Sequence, residues 1–287
     1  MKARLLFLTD VHLNFLRNPD MCRLFGEALR SEEEFDSVVI TGDIAEAPSI
    51  VDRLRRFAGG IGEDKIVYFL PGNHDYYGGS LESVQAELSK TLGPNLVYLD
   101  AQAPILLDDE TALVGKFAWY DAMHGNGTSS DVVLYDFESI AEFKALYSEY
   151  SWVYDYDRGS RNPLLGLFRR LAKEAAEAAR VSLTKALETH RQVIFATHVP
   201  PFPGACWHEG LLSNSQWMPW FTCDAMGQMI LQVASLHPDR QLLVLCGHTH
   251  SSGVYDAAPN VRVLTGKARY GAPDMAGMIC QGSFNGW

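Results

Sequence analysis

The sequence has 287 residues and carries 24 basic against 35 acidic side chains, a formal net charge of −11. Hydrophobic residues make up 47% of the chain, which is enough for a sizeable core and excludes a disordered or low-complexity protein. No apolar run approaches the ~20 residues that cross a bilayer, so the sequence predicts no transmembrane anchor. The acidic balance disfavours long nucleic acids as partners, because phosphate binding needs clustered Lys and Arg.

Short apolar runs alternate with helical patterns along the chain. The strands are predicted at 4–9, 37–41, 65–70, 96–99, 112–115, 192–197, 241–246 and 261–265. The helices are predicted at 20–31, 49–58, 80–91, 163–189 and 223–236, an alternation typical of α/β proteins. The 163–189 helix is predicted to pack on the core through an apolar face made of Leu164, Phe168, Leu171, Ala175 and Ala178.

The N-terminal segment and the cysteines bear on the compartment. The apolar stretch Leu5–Leu8 runs straight into Asp10 without a small-residue cleavage site, so it predicts a first strand rather than a secretion signal. The five cysteines are odd in number and form no C-x-x-C pair. They favour reduced structural thiols, and we expect a cytoplasmic protein.

Five predicted strands end at side chains that can bind a metal ion. In chain order, the residues that follow them are Asp10 and His12, Gly42-Asp43, Gly72-Asn73-His74-Asp75, His198, and Gly247-His248-Thr249-His250. Because α/β sheets bind ligands beyond the carboxyl ends of their strands, we expect these side chains to meet at one site. The glycines that precede Asp43, Asn73 and His248 fit tight turns that let the backbone approach it.

The candidate ligands combine oxygen and nitrogen donors without a thiolate. They are Asp10, His12, Asp43, Asn73, His198, His248 and His250. Seven ligands exceed the four of a closed structural zinc site and suit two divalent ions that share a bridging carboxylate. Mn²⁺ is the expected ion, and Fe²⁺, Zn²⁺ and Co²⁺ also fit this donor set.

The order of these blocks carries a family resemblance. The blocks are Asp10-x-His12, Gly42-Asp43-x-x-Glu46, Gly72-Asn73-His74-Asp75, His198 and Gly247-His248-x-His250. This series resembles the calcineurin-like metallophosphoesterases over residues 5–265. The resemblance implies an α/β fold, a four-layer α/β/β/α sandwich of two mixed sheets flanked by helices, with a dimetal site at the carboxyl ends of the strands.

The resemblance also implies a role for each site residue. Its implied ligands are Asp10, His12 and His250 for the first metal, Asn73, His198 and His248 for the second, and Asp43 as the bridge. The implied activity is phosphoester hydrolysis by attack of a metal-bridging hydroxide. His74 matches the non-ligand histidine that donates a hydrogen bond or proton toward the leaving oxygen. Asp75 is expected to orient His74, raise its pKa and so keep it protonated.

Departures from the family pattern narrow the subclass. Protein Ser/Thr phosphatases of this superfamily carry arginines in the Gly-Asp block and just before Gly-Asn-His, and this chain has none there. Purple acid phosphatases have a tyrosine where this chain has Glu46 and a glycine where it has His12. The remaining resemblance is to the bacterial phosphodiesterase-type members, which include cyclic-nucleotide phosphodiesterases and several nucleases. For this chain we expect a small phosphoester substrate, of which nucleotide-like esters are one class.

Alternatives to a phosphodiesterase stay open at this point. A phosphomonoesterase would use the same site, and a nuclease would need a basic track that a net charge of −11 disfavours. A non-catalytic scaffold that binds a partner through this fold is disfavoured by the complete ligand set. The sequence leaves the natural substrate and homo-oligomer formation undecided.

A single domain is predicted over 1–287, with an aromatic-rich insert at about 117–160. Between 117 and 156 there are 11 aromatic residues in 40, and from 131 to 157 seven acidic residues accompany one lysine. The insert fits a cap or lid that stacks on a base or aryl group of the substrate. It fits equally well an aromatic segment packed at the sheet edge or a dimer contact.

Overall fold

The computed structural model describes residues 3–90, 92–100, 103–127, 129–150, 163–280 and 284. The strands are β1 (Leu5–Leu8), β2 (Ser37–Thr41), β3 (Ile66–Leu70), β4 (Leu96–Tyr98), β5 (Ile105–Leu106), β6 (Thr111–Gly115), β7 (Gln192–Ala196), β8 (Trp207–His208), β9 (Leu211–Leu212), β10 (Gln241–Cys246), β11 (Gly253–Ala258), β12 (Val261–Thr265) and β13 (Gly277–Ile279). The α-helices are α1 (Asp20–Glu32), α2 (Ile50–Ile61), α3 (Leu81–Leu88), α4 (Asp136–Ser139), α5 (Ala141–Tyr150), α6 (Pro163–Thr189), α7 (Met218–Phe221) and α8 (Asp224–Ser235).

Two mixed sheets form the centre of the molecule. The first has the order β13-β1-β2-β3-β4, and the second has the order β11-β12-β10-β7-β6-β5. Within each sheet the inner strands run parallel, while β13, β11 and β5 pair antiparallel at the edges. Helices α1 and α2 pack against each other, as do α6 and α8, with α6 contacting β6 and β7. The predicted four-layer α/β/β/α sandwich is therefore confirmed, and no helix among the described residues is long and apolar enough to cross a membrane.

Local pattern accounts for the parallel strands. β2, β7 and β6 are buried along their whole length, as continuous apolar strands covered on both faces should be. Three predicted strands and the helix at 163–189 match the observed bounds, and the other predicted elements differ at their ends by one to three residues. Most of the strands and helices that the sequence did not predict are short or lie at sheet edges, such as β13, where tertiary pairing with β1 decides the conformation.

The apolar face of α6 differs from the predicted one. Ala178 is exposed, and the buried stripe passes instead through Ala172, Ala176 and Ala179 toward Leu183. The predicted positions repeat every 3.5 residues, whereas a straight helix has 3.6 residues per turn. A 3.5-residue stripe therefore rotates by about 20° per heptad away from the core.

Most of the aromatic side chains whose burial is described in the insert pack into the interior. Phe143 lies 4.7 Å from Phe168 between ring centroids, Tyr120 lies 4.8 Å from Phe168, and Phe137 lies 5.3 Å from Trp220. These contacts join the insert to α6 and α7, as the packed-segment alternative expects. Trp152, Tyr154 and Tyr156 lie outside the described residues, so a cap or lid remains a prediction.

Candidate metal centre

The backbone at the strand ends adopts an unusual conformation. Only a few per cent of non-glycine residues have positive φ, because the Cβ atom crowds the neighbouring carbonyl. In the described chain seven non-glycine residues do so, and five of them are predicted ligands. These five are Asp10, His12, Asp43, His248 and His250, with φ between 42° and 70°. Strain of this kind concentrates at functional sites, where it aims side chains that a relaxed turn would not.

The first group of donors joins Asp10, His12, Asp43 and His250. One donor atom from each lies within 4.8 Å of the others. The Nε2 atoms of His12 and His250 are 3.1 Å apart, and the His250 Nε2 is 3.4 Å from the Asp10 Oδ1. The first three of these residues are almost fully buried. Two imidazole nitrogens and two carboxylates that converge in this way can hold a divalent cation.

The second group shares Asp43 with the first. The Asp43 Oδ1 lies 3.3 Å from the Nε2 of His198, while its Oδ2 lies 3.9 Å from the Nε2 of His12. The Oδ1 of Asn73 is 3.1 Å from the His198 Nε2 and 2.9 Å from the His248 Nδ1. The structure thus brings all seven predicted ligand side chains into two groups joined by Asp43.

Two backbone carbonyls orient the histidines of the second group. The Nδ1 of His198 lies 2.8 Å from the carbonyl oxygen of Thr41 at the end of β2. The Nε2 of His248 lies 2.9 Å from the carbonyl oxygen of Trp220 in α7. When each of these nitrogens carries the hydrogen, the lone pair of the other nitrogen faces the cluster. His198 therefore faces the site with its Nε2, whereas His248 faces it with its Nδ1.

The predicted close approach at the glycines is confirmed. A Cβ atom at Gly42 would overlap the His198 ring, and one at Gly72 would overlap the carboxylate of Asp43. A Cβ atom at Gly247 would overlap the carboxylate of Asp10. Any larger residue at these positions would therefore push a site residue out of place.

Asp75 does not take the predicted role beside His74. Its Oδ1 accepts hydrogen bonds from the backbone N–H groups of Ile44 (2.8 Å) and Ala45 (2.7 Å), and its Oδ2 accepts one from Gly72 (2.7 Å). Both carboxylate oxygens are therefore used to tie two strand-end loops together. Burial and then the negative charge of Asp43 raise the pKa of Asp75 to about 8. The expectation that Asp75 orients the His74 ring was wrong, because the tertiary fold directs the carboxylate to backbone donors.

His74 lies at the mouth of the cluster. Its side chain is 20% exposed, and its Nε2 is 3.9 Å from the Asp43 Oδ2. The His74 backbone N–H donates to the Asp43 Oδ1 at 2.9 Å, and its ring lies 4.3 Å from that of Tyr77. The side chain therefore reaches the site from the solvent side without belonging to either group of donors.

The charge state of the metal-free cluster follows from burial and its carboxylates. Burial lowers the pKa of His12 to about 4, and burial together with the charge of His198 lowers that of His248 to about 3. Burial would also lower the pKa of His198, but the Asp43 carboxylate, together with Asp10 and the Thr41 carbonyl, outweighs burial and raises this pKa to about 9. Burial would raise the pKa of Asp43, yet His198 and His74 hold it well below its usual value.

Three further residues lie next to the cluster and were not predicted from the sequence. Tyr270 and Phe15 are about half exposed, with their rings 4.8 Å apart. The Tyr270 ring is also 4.4 Å from that of His12. Asp136 is buried and accepts a hydrogen bond from the side chain of Asn73. In the sequence, only Asp136 could have been noticed, because it is an acidic residue inside the apolar run Val132–Phe137. No local pattern indicates Phe15 or Tyr270.

Comparison with known proteins agrees with this geometry. The family model of the calcineurin-like phosphoesterases matches residues 3–252. The chain belongs to this family. With the Asp and His cluster, family membership indicates a dimetal site and a phosphoric ester hydrolase. No match to a curated protein is found.

Solved structures with the same fold are distant in sequence. Phosphopantetheinyl hydrolase from Mycobacterium tuberculosis is 17% identical with a TM-score of 0.61, over 94% of this chain and 90% of that one. A dimetal phosphatase from Danio rerio is 16% identical with a TM-score of 0.56, over 94% and 89%. A protein of Thermus thermophilus is 11% identical with a TM-score of 0.51, over 93% and 90%. At these identities the likeness shows the fold alone.

Proposed function

We propose that this member of the family is a dimetal-dependent phosphodiesterase. The observation that carries the proposal is the sharing of Asp43 between two converging groups of donors. Asp10, His12 and His250 would hold one ion, Asn73, His198 and His248 would hold the other, and Asp43 would contribute to both. The donors are nitrogen and oxygen without sulfur, a set that suits Mn²⁺ and also accepts Fe²⁺, Zn²⁺ or Co²⁺.

The chain's own residues bind and orient the substrate around these ions. When bound, two divalent ions supply a nucleophilic hydroxide at neutral pH and neutralise the charge of the phosphoryl group. His74 stands at the mouth, where it donates a proton to the ester oxygen that leaves as the bond to phosphorus breaks. Tyr77 supports the His74 ring through their 4.3 Å contact.

A diester is favoured because an organic group can lie beside the cluster. A phosphodiester carries a second substituent, and the half-exposed rings of Phe15 and Tyr270 offer it an aromatic surface. Aromatic rings stack readily on a base or aryl group. The substrate we propose is therefore a small, nucleotide-like or aryl diester. The missing arginines of the protein-phosphatase motifs fit this choice, since those side chains hold a free phosphate.

The proposed compartment is the cytoplasm. Cys22, Cys206, Cys223 and Cys246 are free thiols in the structure, and all four are buried. Free thiols persist in a reducing compartment. Their burial also shields the four from oxidation.

The test is a pair of initial rates on an aryl phosphodiester and its matching monoester, with Mn²⁺ added back to chelator-stripped protein. We expect fast hydrolysis of the diester and slow hydrolysis of the monoester. The reverse order would overturn the diester preference and identify a phosphomonoesterase. Hydrolysis of neither ester by a protein that binds no metal would overturn the proposal and favour the scaffold alternative.

A further inference from the structure

Asp136 is a buried carboxylate next to the candidate metal centre. It is the first residue of α4 and only 1% exposed. Its Oδ1 accepts hydrogen bonds from the hydroxyl of Tyr77 and from the Nδ2 of Asn73, the latter at 3.0 Å. Its Oδ2 accepts one from the hydroxyl of Tyr120 at 2.9 Å. Three donors therefore converge on one carboxylate in the interior, which satisfies a group that is otherwise costly to bury.

The contact with Asn73 bears on the metal site. The two ends of an amide have nearly the same shape, so only the surrounding hydrogen bonds decide which end faces which way. The Asn73 Oδ1 faces the Nε2 of His198 and the Nδ1 of His248, whereas its Nδ2 faces Asp136. An ionised carboxylate only accepts hydrogen bonds, so it selects the NH₂ end of the amide.

We propose that Asp136 is a positioning residue, which holds the oxygen of Asn73 toward the second metal. The inference rests on the proposed function, which makes Asn73 a ligand. Without an acceptor at position 136, the Asn73 amide can rotate by half a turn. It would then offer the second metal an NH₂ group, which is a poor ligand because its nitrogen lone pair is delocalised into the carbonyl group.

The same contacts give the aromatic-rich insert a role. Asp136 and α4 lie in that insert, 63 positions along the chain from Asn73. The insert also holds the loop that follows His74, because the N–H of Gly78 donates to the carbonyl of Ser139 at 2.9 Å and the N–H of Ala141 donates to that of Gly79 at 3.0 Å. Residues 136–141, in the middle of the insert, thus pack against the residues next to the site and keep Asn73 and His74 in place.

The test measures Mn²⁺ binding directly, by titration followed by electron paramagnetic resonance. Asp136→Asn keeps the shape of the side chain but can present an amide donor to Asn73. We expect one of the two Mn²⁺ ions to bind about 10–100-fold more weakly, as happens when an outer partner of a metal ligand is lost. The control is Glu138→Gln, which neutralises an exposed acid on the same helix and should leave both affinities unchanged.

The same substitution made in an Asn73→Asp protein distinguishes a positioning role of Asp136 from a purely structural one. In Asn73→Asp the side chain at 73 has an oxygen at both ends, so its orientation no longer matters. Asp136→Asn should therefore weaken Mn²⁺ binding by less than about 3-fold in this background. An equal loss in both backgrounds would show a structural role and overturn the inference.

The remaining outcomes are also decisive. Two tightly bound Mn²⁺ ions in Asp136→Asn would overturn this inference and leave the proposed function standing. A wild-type protein that binds no metal would overturn both. Should Asp136→Asn fail to fold on its own, Tyr77→Phe removes one hydroxyl from the same network. Tyr77→Phe should weaken the binding of the same Mn²⁺ ion, and an unchanged affinity would contradict the inference.

Discussion

Asp43 is the residue on which both groups of donors depend. Its two oxygens face different histidines, and its backbone lies in the left-handed region with φ of 52°. Replacing it with alanine removes the one carboxylate that both groups of donors share, so each ion would lose a ligand and the negative charge that offsets its own.

We expect Asp43→Ala to lose both metals and all measurable hydrolysis. Metal content by mass spectrometry after dialysis, together with initial rates, checks this. Asp52→Ala, at an exposed position of α2, serves as the control and should behave as wild type. Turnover close to wild type in a metal-free Asp43→Ala protein would exclude the dimetal mechanism.

His74 belongs to neither group of donors, so its loss should separate metal binding from turnover. We expect His74→Ala to keep both metals and lose about 10²–10⁴-fold in kcat, the usual contribution of a general acid. The loss should be smallest for esters with good leaving groups, because these need no proton. A series of aryl diesters of graded leaving-group pKa measures it, with His237→Ala as the control. Equal losses across the series would argue against proton donation by His74.

The raised pKa of His198 predicts how metal affinity depends on pH. In the metal-free protein the pKa of His198 is about 9. Burial would lower the pKa of His250, but the hydrogen bond with Asp10 and the negative charge of Asp10 help to raise it. Below pH 9 a proton must leave His198 before its nitrogen can bind a cation. Affinity for Mn²⁺ should therefore fall by about tenfold or more for each unit from pH 8 to pH 6. Calorimetric titration in that range checks it, and a constant Kd would contradict it.

The same shift has the opposite effect on the stability of the metal-free protein. A pKa raised from 6.5 to about 9 in the folded state means that the fold binds the proton more tightly than the unfolded chain does. This contribution to stability is fully present below pH 6.5 and is lost as the pH rises through 9. Between pH 9 and pH 6.5, a fall in pH therefore increases this contribution of His198 to the stability of the stripped fold while it weakens metal binding.

At the scale of elements, α1 and α2 approach closely through two glycines. A Cβ atom at Gly26 would overlap the carbonyl oxygen of Phe57, and one at Gly60 would overlap that of Arg23. Backbone atoms cannot move aside as a flexible side chain can, so the two helices would have to separate. Gly59 precedes Gly60 on α2, but a Cβ atom there meets nothing within 4 Å.

The two neighbouring glycines should therefore respond in opposite directions to alanine. Gly60→Ala should destabilise the fold by about 1–3 kcal/mol through overpacking. Gly59→Ala should stabilise it by up to about 1 kcal/mol, because alanine favours the helix more than glycine does. Urea unfolding of the two variants measures both. Equal effects of the two substitutions would show that helix propensity alone acts at this contact.

At the scale of the whole molecule, the candidate metal centre joins the two sheets. Asp10, Asp43 and Asn73 follow strands of the first sheet, whereas His198, His248 and His250 follow strands of the second. A bound ion would therefore link the two halves of the sandwich. Because the unfolded chain cannot present these donors together, metal binding favours the folded state.

We accordingly expect Mn²⁺ to raise the melting temperature of the stripped protein. At a free concentration of about 100 times Kd, one ion adds roughly 2.7 kcal/mol. For a domain of this size that corresponds to about 5–10 °C. Differential scanning fluorimetry with Mn²⁺, and with chelator as the control, measures it. An unchanged melting temperature at saturating Mn²⁺ would contradict metal binding to the folded state.

The sequence by itself determined the parallel strands, the long helices and the set of seven side chains at the strand ends. These features follow from local sequence patterns. An apolar run predicts a buried strand, and the carboxyl ends of parallel strands lie at the same edge of the sheet. The family resemblance implied which of these side chains would share a metal.

Only the tertiary structure decided the contacts between segments distant in the chain. It directed Asp75 to backbone donors, placed Asp136 against Asn73, and brought Tyr270 over His12. It also formed the edge strand β13, which pairs with β1 from the opposite end of the chain. No local pattern encodes such contacts, because each depends on how the sheets, helices and insert pack after the elements have formed.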